Sequence, residues 1–205
     1  LLGELWLFSR LNSIRRKKIE KSKGWDITIK DNFIQTFNGK AVYFLDPKED
    51  DFDIENIAHT LSMLCRFGGH CKEFYSVAEH SVRCSWEAPD ELKLEALLHD
   101  ATEAYLVDMP RPIKQVLSQY RDIEKKLDRV LRNKFSLLPE MPKEIHYIDN
   151  AMLATEKRDL MNPSERLWAE LPDPFKEKII PWTPKEAEEK FLLEFNKLTK
   201  IKITV

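Results

Sequence analysis

Leu94, Leu97, Leu98 and Ala101 recur at helical spacing in Leu94-Glu95-Ala96-Leu97-Leu98-His99-Asp100-Ala101-Thr102-Glu103, a run that also carries an imidazole and a carboxylate side by side. A stripe of that period predicts a helix with one face in the core. An unpaired charge beside such a face is expensive to bury, so the fold must bring a partner to His99 and Asp100. Glu103, three residues after Asp100 and four after His99, is expected on the same side of the helix. A metal ion is the simplest partner for this set.

Two further segments point the same way. Tyr75-Ser76-Val77-Ala78-Glu79-His80-Ser81 predicts a helix start, with Ser76 as N-cap, Glu79 as its reciprocal capping-box residue and His80 in the first turn. Asp149 stands among Ile145, Ile148, Met152 and Leu153, in or beside the apolar stripe of another helix. Singly, each has a plainer explanation: a lone helical His is usually satisfied or exposed, and a buried Asp usually caps or pairs. Together, and in this order, His80, His99, Asp100 and Asp149 offer two nitrogens and two carboxylates. That mix suits Mn, Co, Fe, Ni or Zn and, less well, Mg.

The order His80, His99-Asp100, Asp149 resembles the signature of HD-domain metal-dependent phosphohydrolases. Ser76-Val77-Ala78-Glu79-His80-Ser81, His99-Asp100-Ala101-Thr102-Glu103-Ala104-Tyr105 and Asp108-Met109-Pro110-Arg111-Pro112-Ile113-Lys114 resemble the branch containing bacterial 5'-deoxynucleotidases and phage dATP triphosphohydrolases. The likeness spans residues 53–162. It implies an all-α HD-type helical bundle whose divalent metal is held by His80, His99, Asp100 and Asp149. It also implies Glu103 as the catalytic carboxylate acting on the attacking water and Asp108 as the catalytic acid toward the leaving group. Arg66, Phe67 and Lys114 become the substrate-binding residues. In the deoxynucleotidase relatives an Arg-Trp pair lies near Arg66-Phe67, its Trp resembling a steric gate against the ribose 2'-hydroxyl; by its residue type alone, Phe67 belongs in the core.

The substrate implied is a deoxynucleotide phosphate ester, releasing orthophosphate from a monophosphate or intact triphosphate from a triphosphate. An alarmone-type or other small phosphoester hydrolase and a non-catalytic nucleotide-binding helical module are the alternatives. Intact Glu103 and Asp108 argue against a purely structural metal. HD relatives often dimerise, which leaves a homodimer or higher homo-oligomer open.

Composition narrows the partners. A chain of 205 residues suits one well-buried domain. The expected layout is a single HD-type domain over 1–205, with an N-terminal helix at 1–24, a β-hairpin at 25–46, the HD core at 53–162 and a C-terminal helix at 183–199. A net charge of -2 and no basic stripe with interleaved aromatics give no case for nucleic acid. A nucleotide-sized anion needs only a local cluster such as Arg66, Arg111 and Lys114.

Cys65, Cys71 and Cys84 make no disulfide scaffold and fit a reducing cytoplasm. Cys65, Cys71 and His70 lack the fourth ligand of a zinc site. No apolar run reaches the length of a membrane span. Arg15-Arg16-Lys17-Lys18, after an apolar stretch, reads as the solvated end of a docking helix rather than a membrane-surface helix. The chain opens on Leu1 rather than Met, which fits a fragment or a processed form.

Periodicity and turn residues supply the remaining elements. Leu5, Phe8, Leu11 and Ile14 predict the N-terminal helix, which Gly24 ends. Asn38-Gly39 between Ile34-Gln35-Thr36-Phe37 and Ala41-Val42-Tyr43-Phe44-Leu45 predicts the hairpin. Asp53 caps one helix, Asp90 caps the doublet helix up to Asp108, and Val116 to Leu131 form one long amphipathic stripe. Thr183-Pro184 is an N-cap and N1 pair. Glu156, two turns after Asp149, is expected beside a ligand histidine or in a surface ion pair. His59 and His70 are expected to be structural.

Overall fold

Asp53 turns an extended stretch into a helix: its carboxylate accepts the N–H of Asn56 at 3.0 Å and so starts α1 (Ile54–Met63). The computed structural model describes residues 32–200, all but Asn32 within one unit that begins at Phe33. The helix expected over 1–24 and the alternation at Trp25–Ile29 lie outside the described residues.

Among the described residues the only sheet is an antiparallel pair, β1 (Ile34–Gln35) and β2 (Ala41–Val42), with Ile34 opposite Val42 and Gln35 opposite Ala41. It is shorter than the Asn38-Gly39 signal predicted. Thr36 ends the ladder by folding inward, its hydroxyl donating to Asn38 Oδ1 at 2.6 Å, and Gly39 closes the loop at φ +83. Phe37, expected in the strand, instead stacks on His59 with ring centroids 3.6 Å apart.

Ser76 caps α2 (Val77–Glu87) as expected, accepting the N–H of Glu79 at 3.1 Å. Glu79 does not return the bond. Its carboxylate takes the Arg83 guanidinium at 2.9 and 2.8 Å and the N–H of Trp182 at 2.7 Å. That ties α2 to the segment leading into the last helix. Glu95 is likewise buried against Arg132 at 3.0 Å, a long-range pair with no local sequence signal.

The doublet helix also departs from expectation. Asp90–Leu92 form a separate 3-10 turn, α3 covers only Lys93–Leu98, and α4 covers Glu103–Leu106. Between them the N–H groups of Ala101, Glu103, Ala104 and Tyr105 bond three residues back, at 3.1, 2.9, 3.3 and 3.0 Å. The chain is overwound in the manner of a 3-10 helix. His99 and Asp100 therefore sit at a kink, and Glu103 opens the next helix rather than continuing the same one.

A second break falls at Leu117, between α5 (Arg111–Val116) and α6 (Ser118–Lys134). The single stripe predicted from Val116 is thus two helices. Val116 and Leu117 are exposed, while Leu127 and Leu131 are buried. α7 (Lys143–Leu160) and α8 (Pro184–Lys200) match their signals. At the latter, Thr183 Oγ1 accepts the Glu186 N–H at 3.3 Å and Glu186 accepts the Thr183 N–H at 2.9 Å, a complete capping box.

The result is a mostly helical fold with a small hairpin near its N-terminal side, as the sequence predicts. α8 packs on α1, α2 and α3, and α7 packs on α2. One apolar cluster gathers Ile57, Leu61, Val82, Leu97 and Phe191; a second gathers Tyr75, Ile145, Met152 and Ile179. Each large side chain buried there contributes about 1.5–3 kcal/mol. No helix of the described residues is long and apolar enough to cross a membrane.

Candidate metal centre and its cavity

Four sequence-nominated side chains converge where α2, the α3–α4 kink and α7 meet. His80 comes from the first turn of α2, His99 and Asp100 from the kink, and Asp149 from α7. The Nε2 atoms of His80 and His99 face each other at 3.2 Å. His80 Nε2 lies 3.5 Å from Asp100 Oδ2 and 3.3 Å from Asp149 Oδ1; His99 Nε2 lies 3.2 and 4.0 Å from the same atoms.

The far ring nitrogens explain this orientation. His99 Nδ1 meets the Ala96 carbonyl at 2.7 Å and His80 Nδ1 meets Glu156 Oε1 at 2.6 Å. A carbonyl can only accept, so His99 Nδ1 carries the hydrogen; the Glu156 carboxylate imposes the same tautomer on His80. Each Nε2 then presents a lone pair, and two lone pairs at 3.2 Å require a cation between them, a proton or a metal. Both histidines are buried.

The surrounding charge fits that demand. Burial opposes a charged His99, yet Asp100 holds its pKa above the usual value. For His80, burial and the Arg66 guanidinium oppose the charge, yet Cys84, Glu156 and Asp149 raise its pKa well above normal. Burial likewise works against both carboxylates. His99 and His80 nevertheless hold Asp100 well below the usual range, and His80 brings Asp149 down to about 2. The pocket is one that attracts positive charge.

Arg66 is the inner wall. Nearly buried, it meets Asp100 Oδ2 at 3.5 Å and Glu156 Oε2 at 3.2 Å, so its charge is already matched from two sides. Glu156 thus holds both His80 and Arg66, the first of the two places expected for it. Burial raises Glu156, but Arg66 and His80 keep it ionised with a lowered pKa.

A cavity of about 610 Å³ opens from the centre, a size suited to a small molecule. Asp100 and Asp149 line it, and so do all five remaining nominated residues, Arg66, Phe67, Glu103, Asp108 and Lys114. Glu103 Oε2 is buried with no hydrogen-bond partner among the described residues, an arrangement that costs about 1–3 kcal/mol. Burial, reinforced by Asp100 and Asp108, pushes the Glu103 pKa well up. Lys114 is held by Glu124; burial works against its charge, but that pairing keeps its pKa above normal. Arg111 is more than half exposed and reaches Asp149 Oδ2 at 3.5 Å.

Phe67 is not a core residue, contrary to the reading of its side chain alone. It stands half-buried on the cavity wall, with backbone φ +58 and ψ +22. Such a left-handed conformation costs a bulky residue about 1–2 kcal/mol. Gly68 and Gly69 follow at φ +59 and +81, so the local chain reverses through three left-handed residues. His70, expected to be structural, lines the cavity, whereas His59 is structural, bonded to Glu188 at 3.1 Å.

Two residues on this site escaped the sequence reading. Cys84, one turn after His80, brings its sulfur 3.6 Å from His80 Nε2, and the buried group His80, Cys84 and His99 can hold a metal ion. The i, i+4 spacing from His80 was its available signal. Trp168 lies on the cavity wall from an irregular segment between α7 and α8, where no periodicity marks it. Cys65 and Cys71 place their sulfurs 3.5 Å apart, without further ligands in the group that can hold a metal.

No protein-family model matches the chain. It is 44% identical over 174 residues to the uncharacterized Escherichia coli protein YfdR, covering 83% of the chain and 98% of that protein. It is also 34% identical over 118 residues to an uncharacterized protein of Rhodobacter capsulatus, covering 53% of the chain and 60% of that protein.

Proposed function

The chain belongs to the family of Escherichia coli YfdR, and from the arrangement of its site we propose a metal-dependent phosphohydrolase of the HD type, acting on a deoxynucleotide phosphate ester. The observation that carries this reading is the pair of Nε2 lone pairs facing each other at 3.2 Å, flanked by two carboxylates, at the end of a cavity that also holds Glu103.

A divalent metal held by His80, His99, Asp100 and Asp149 would supply a water of lowered pKa and polarise a phosphoryl oxygen. The chain's own residues do the rest. Glu103, whose buried Oε2 has no competing partner, would take the proton of the attacking water once a bound cation offsets the burial and the carboxylates that raise its pKa. Asp108, which lines the same cavity, would give a proton to the leaving oxygen. Arg66 fixes Asp100 and stands against the phosphoryl group; Lys114 and Arg111 add positive charge at the mouth. The three thiols are free, in keeping with a reducing, cytoplasmic setting.

Cys84 favours a second reading, a softer site of His80, Cys84 and His99 for zinc. Burial keeps that thiol protonated by raising its pKa, and Cys84 packs among the apolar residues of the second cluster, away from the cavity lining. The carboxylates are the better ligands on both counts. Unchanged metal content in Cys84→Ser would support the His and Asp set; loss of metal in that variant alone would support the softer one.

The deciding experiment restores Co, Mn or Mg to metal-depleted protein and resolves the products from deoxynucleoside mono- and triphosphates beside their ribo counterparts. Orthophosphate or triphosphate release that depends on added metal is expected. No release from any of them overturns the reading.

A further inference from the structure

The cavity has two unlike walls. Asp100, Asp149, Glu103 and Arg66 give it a charged wall beside the histidine pair; Phe67, Trp168, Leu153, Met161 and Leu171 give it an apolar one. Phe67 and Trp168 come from segments a hundred residues apart in the chain, yet their ring centroids lie 6.3 Å apart, tilted by 54°. Neither belongs to an apolar core cluster. Trp168 is half-buried although the chain around it is exposed, with Leu167 at 98% exposure.

The Trp168 ring is also anchored. Lys157 of α7 places its ammonium 5.2 Å from the ring centroid, and Lys157 lies two turns beyond Asp149 on that helix. Eight residues of helix rise roughly 12 Å, so the lysine that anchors Trp168 is rooted well away from Asp149, and the Phe67 ring stands between Trp168 and Arg66. Phe67 reaches this wall only through its left-handed backbone, with the Arg66 guanidinium 5.5 Å from its ring.

We propose that Trp168, with Phe67, forms a base-stacking subsite, and that Trp168 is the residue that sets a preference for nucleotides over bare sugar phosphates. The proposal rests on the phosphohydrolase reading for its phosphate end. Every nucleobase has a π-face, so a wall of this kind holds bases with little regard to their identity. Selectivity then lies between substrates with and without a base.

The test compares the full chain with Trp168→Ala and Trp168→Phe. Phosphate release is measured from 2'-deoxyadenosine 5'-monophosphate and from 2-deoxyribose 5-phosphate, and nucleotide binding is measured by equilibrium dialysis. Trp168→Ala is expected to raise KM and Kd for the nucleotide about tenfold, to leave 2-deoxyribose 5-phosphate turnover unchanged, and to be largely rescued in Trp168→Phe. Equal nucleotide KM and Kd in all three proteins overturns the subsite while leaving the hydrolase reading intact. Equal loss on both substrates in both variants also overturns it, since a merely supporting ring does not distinguish them. Nucleotide binding that weakens in Trp168→Ala, without phosphate release by any of the three proteins, sustains the subsite and removes the hydrolase. Neither binding nor release removes both.

Discussion

The floor of the cavity and its rim are built differently. On the floor, each functional atom is fixed from behind: His99 by the Ala96 carbonyl, His80 by Glu156, and Glu156 in turn by Arg66. At the rim the chain is irregular. Phe67 lies in a short 3-10 turn at positive φ, Trp168 lies in an irregular segment, and Val107, also at positive φ, immediately precedes the lining residue Asp108. Position is over-determined on the floor and held under local strain at the rim. An arrangement of this kind suits chemistry at one end and adaptable recognition at the other.

The largest break in that contrast comes from the floor. On the proposed reading, His99→Ala or Asp100→Ala removes metal and phosphate release together, measured by elemental analysis beside a product assay. Full turnover in a metal-depleted variant would sink the mechanism. Glu103→Gln is next. It preserves shape and leaves the four ligands in place, so metal content stays while turnover falls about 10²–10⁴-fold. Unchanged turnover strips Glu103 of its part.

Glu156→Gln probes the support behind the ligands. The amide keeps the size but removes the charge that faces both His80 and Arg66. Loss of such a partner weakens metal binding about 10–100-fold. Titration with a chelator reads this directly, and wild-type affinity would show that His80 needs no anionic partner.

The same division explains what was legible in the sequence. Floor residues sit on or beside helices, where capping and the 3.6 period locate them. Ser76 sets the register of His80, and the Ile145, Ile148 and Met152 stripe sets that of Asp149. Even there, the kink at His99–Thr102 was hidden, because overwinding to three-residue hydrogen bonds changes no apolar spacing over so short a run. Glu79 bonds to Arg83 and Trp182 instead of its cap because the approach of a segment a hundred residues away outbid the local motif. The rim offered no period at all. Phe67 reads as core by its side chain, and only its backbone conformation turns it to the cavity. Trp168 had no neighbour in sequence to suggest one in space.

Smaller effects separate the two regions by stability. Ser76→Ala on the floor removes the acceptor for the buried Glu79 N–H and should cost about 1 kcal/mol. A chemical denaturation midpoint measures it, and metal binding should weaken with it, since His80 lies in that first turn. A loss of stability with no change in metal affinity would mean the floor does not depend on this cap.

The last effect has the opposite sign and lies one residue before the cavity-lining Asp108. Val107 ends α4 at φ +62 and ψ +159, with half its surface exposed. A β-branched residue is an outlier there, and strain of this kind costs of order 1–3 kcal/mol. Val107→Gly relieves it but adds about 0.5–1 kcal/mol of chain entropy to the unfolded state. The net is a gain of roughly 0–2 kcal/mol, read as a higher denaturation midpoint. Asp108 follows directly, so the variant also asks whether the strain serves to aim that carboxylate. A more stable protein with lower turnover would tie the strain to the proposed chemistry. A more stable protein with full turnover would make the rim's irregularity a matter of folding alone, and a less stable one would show that the turn carries no strain to release.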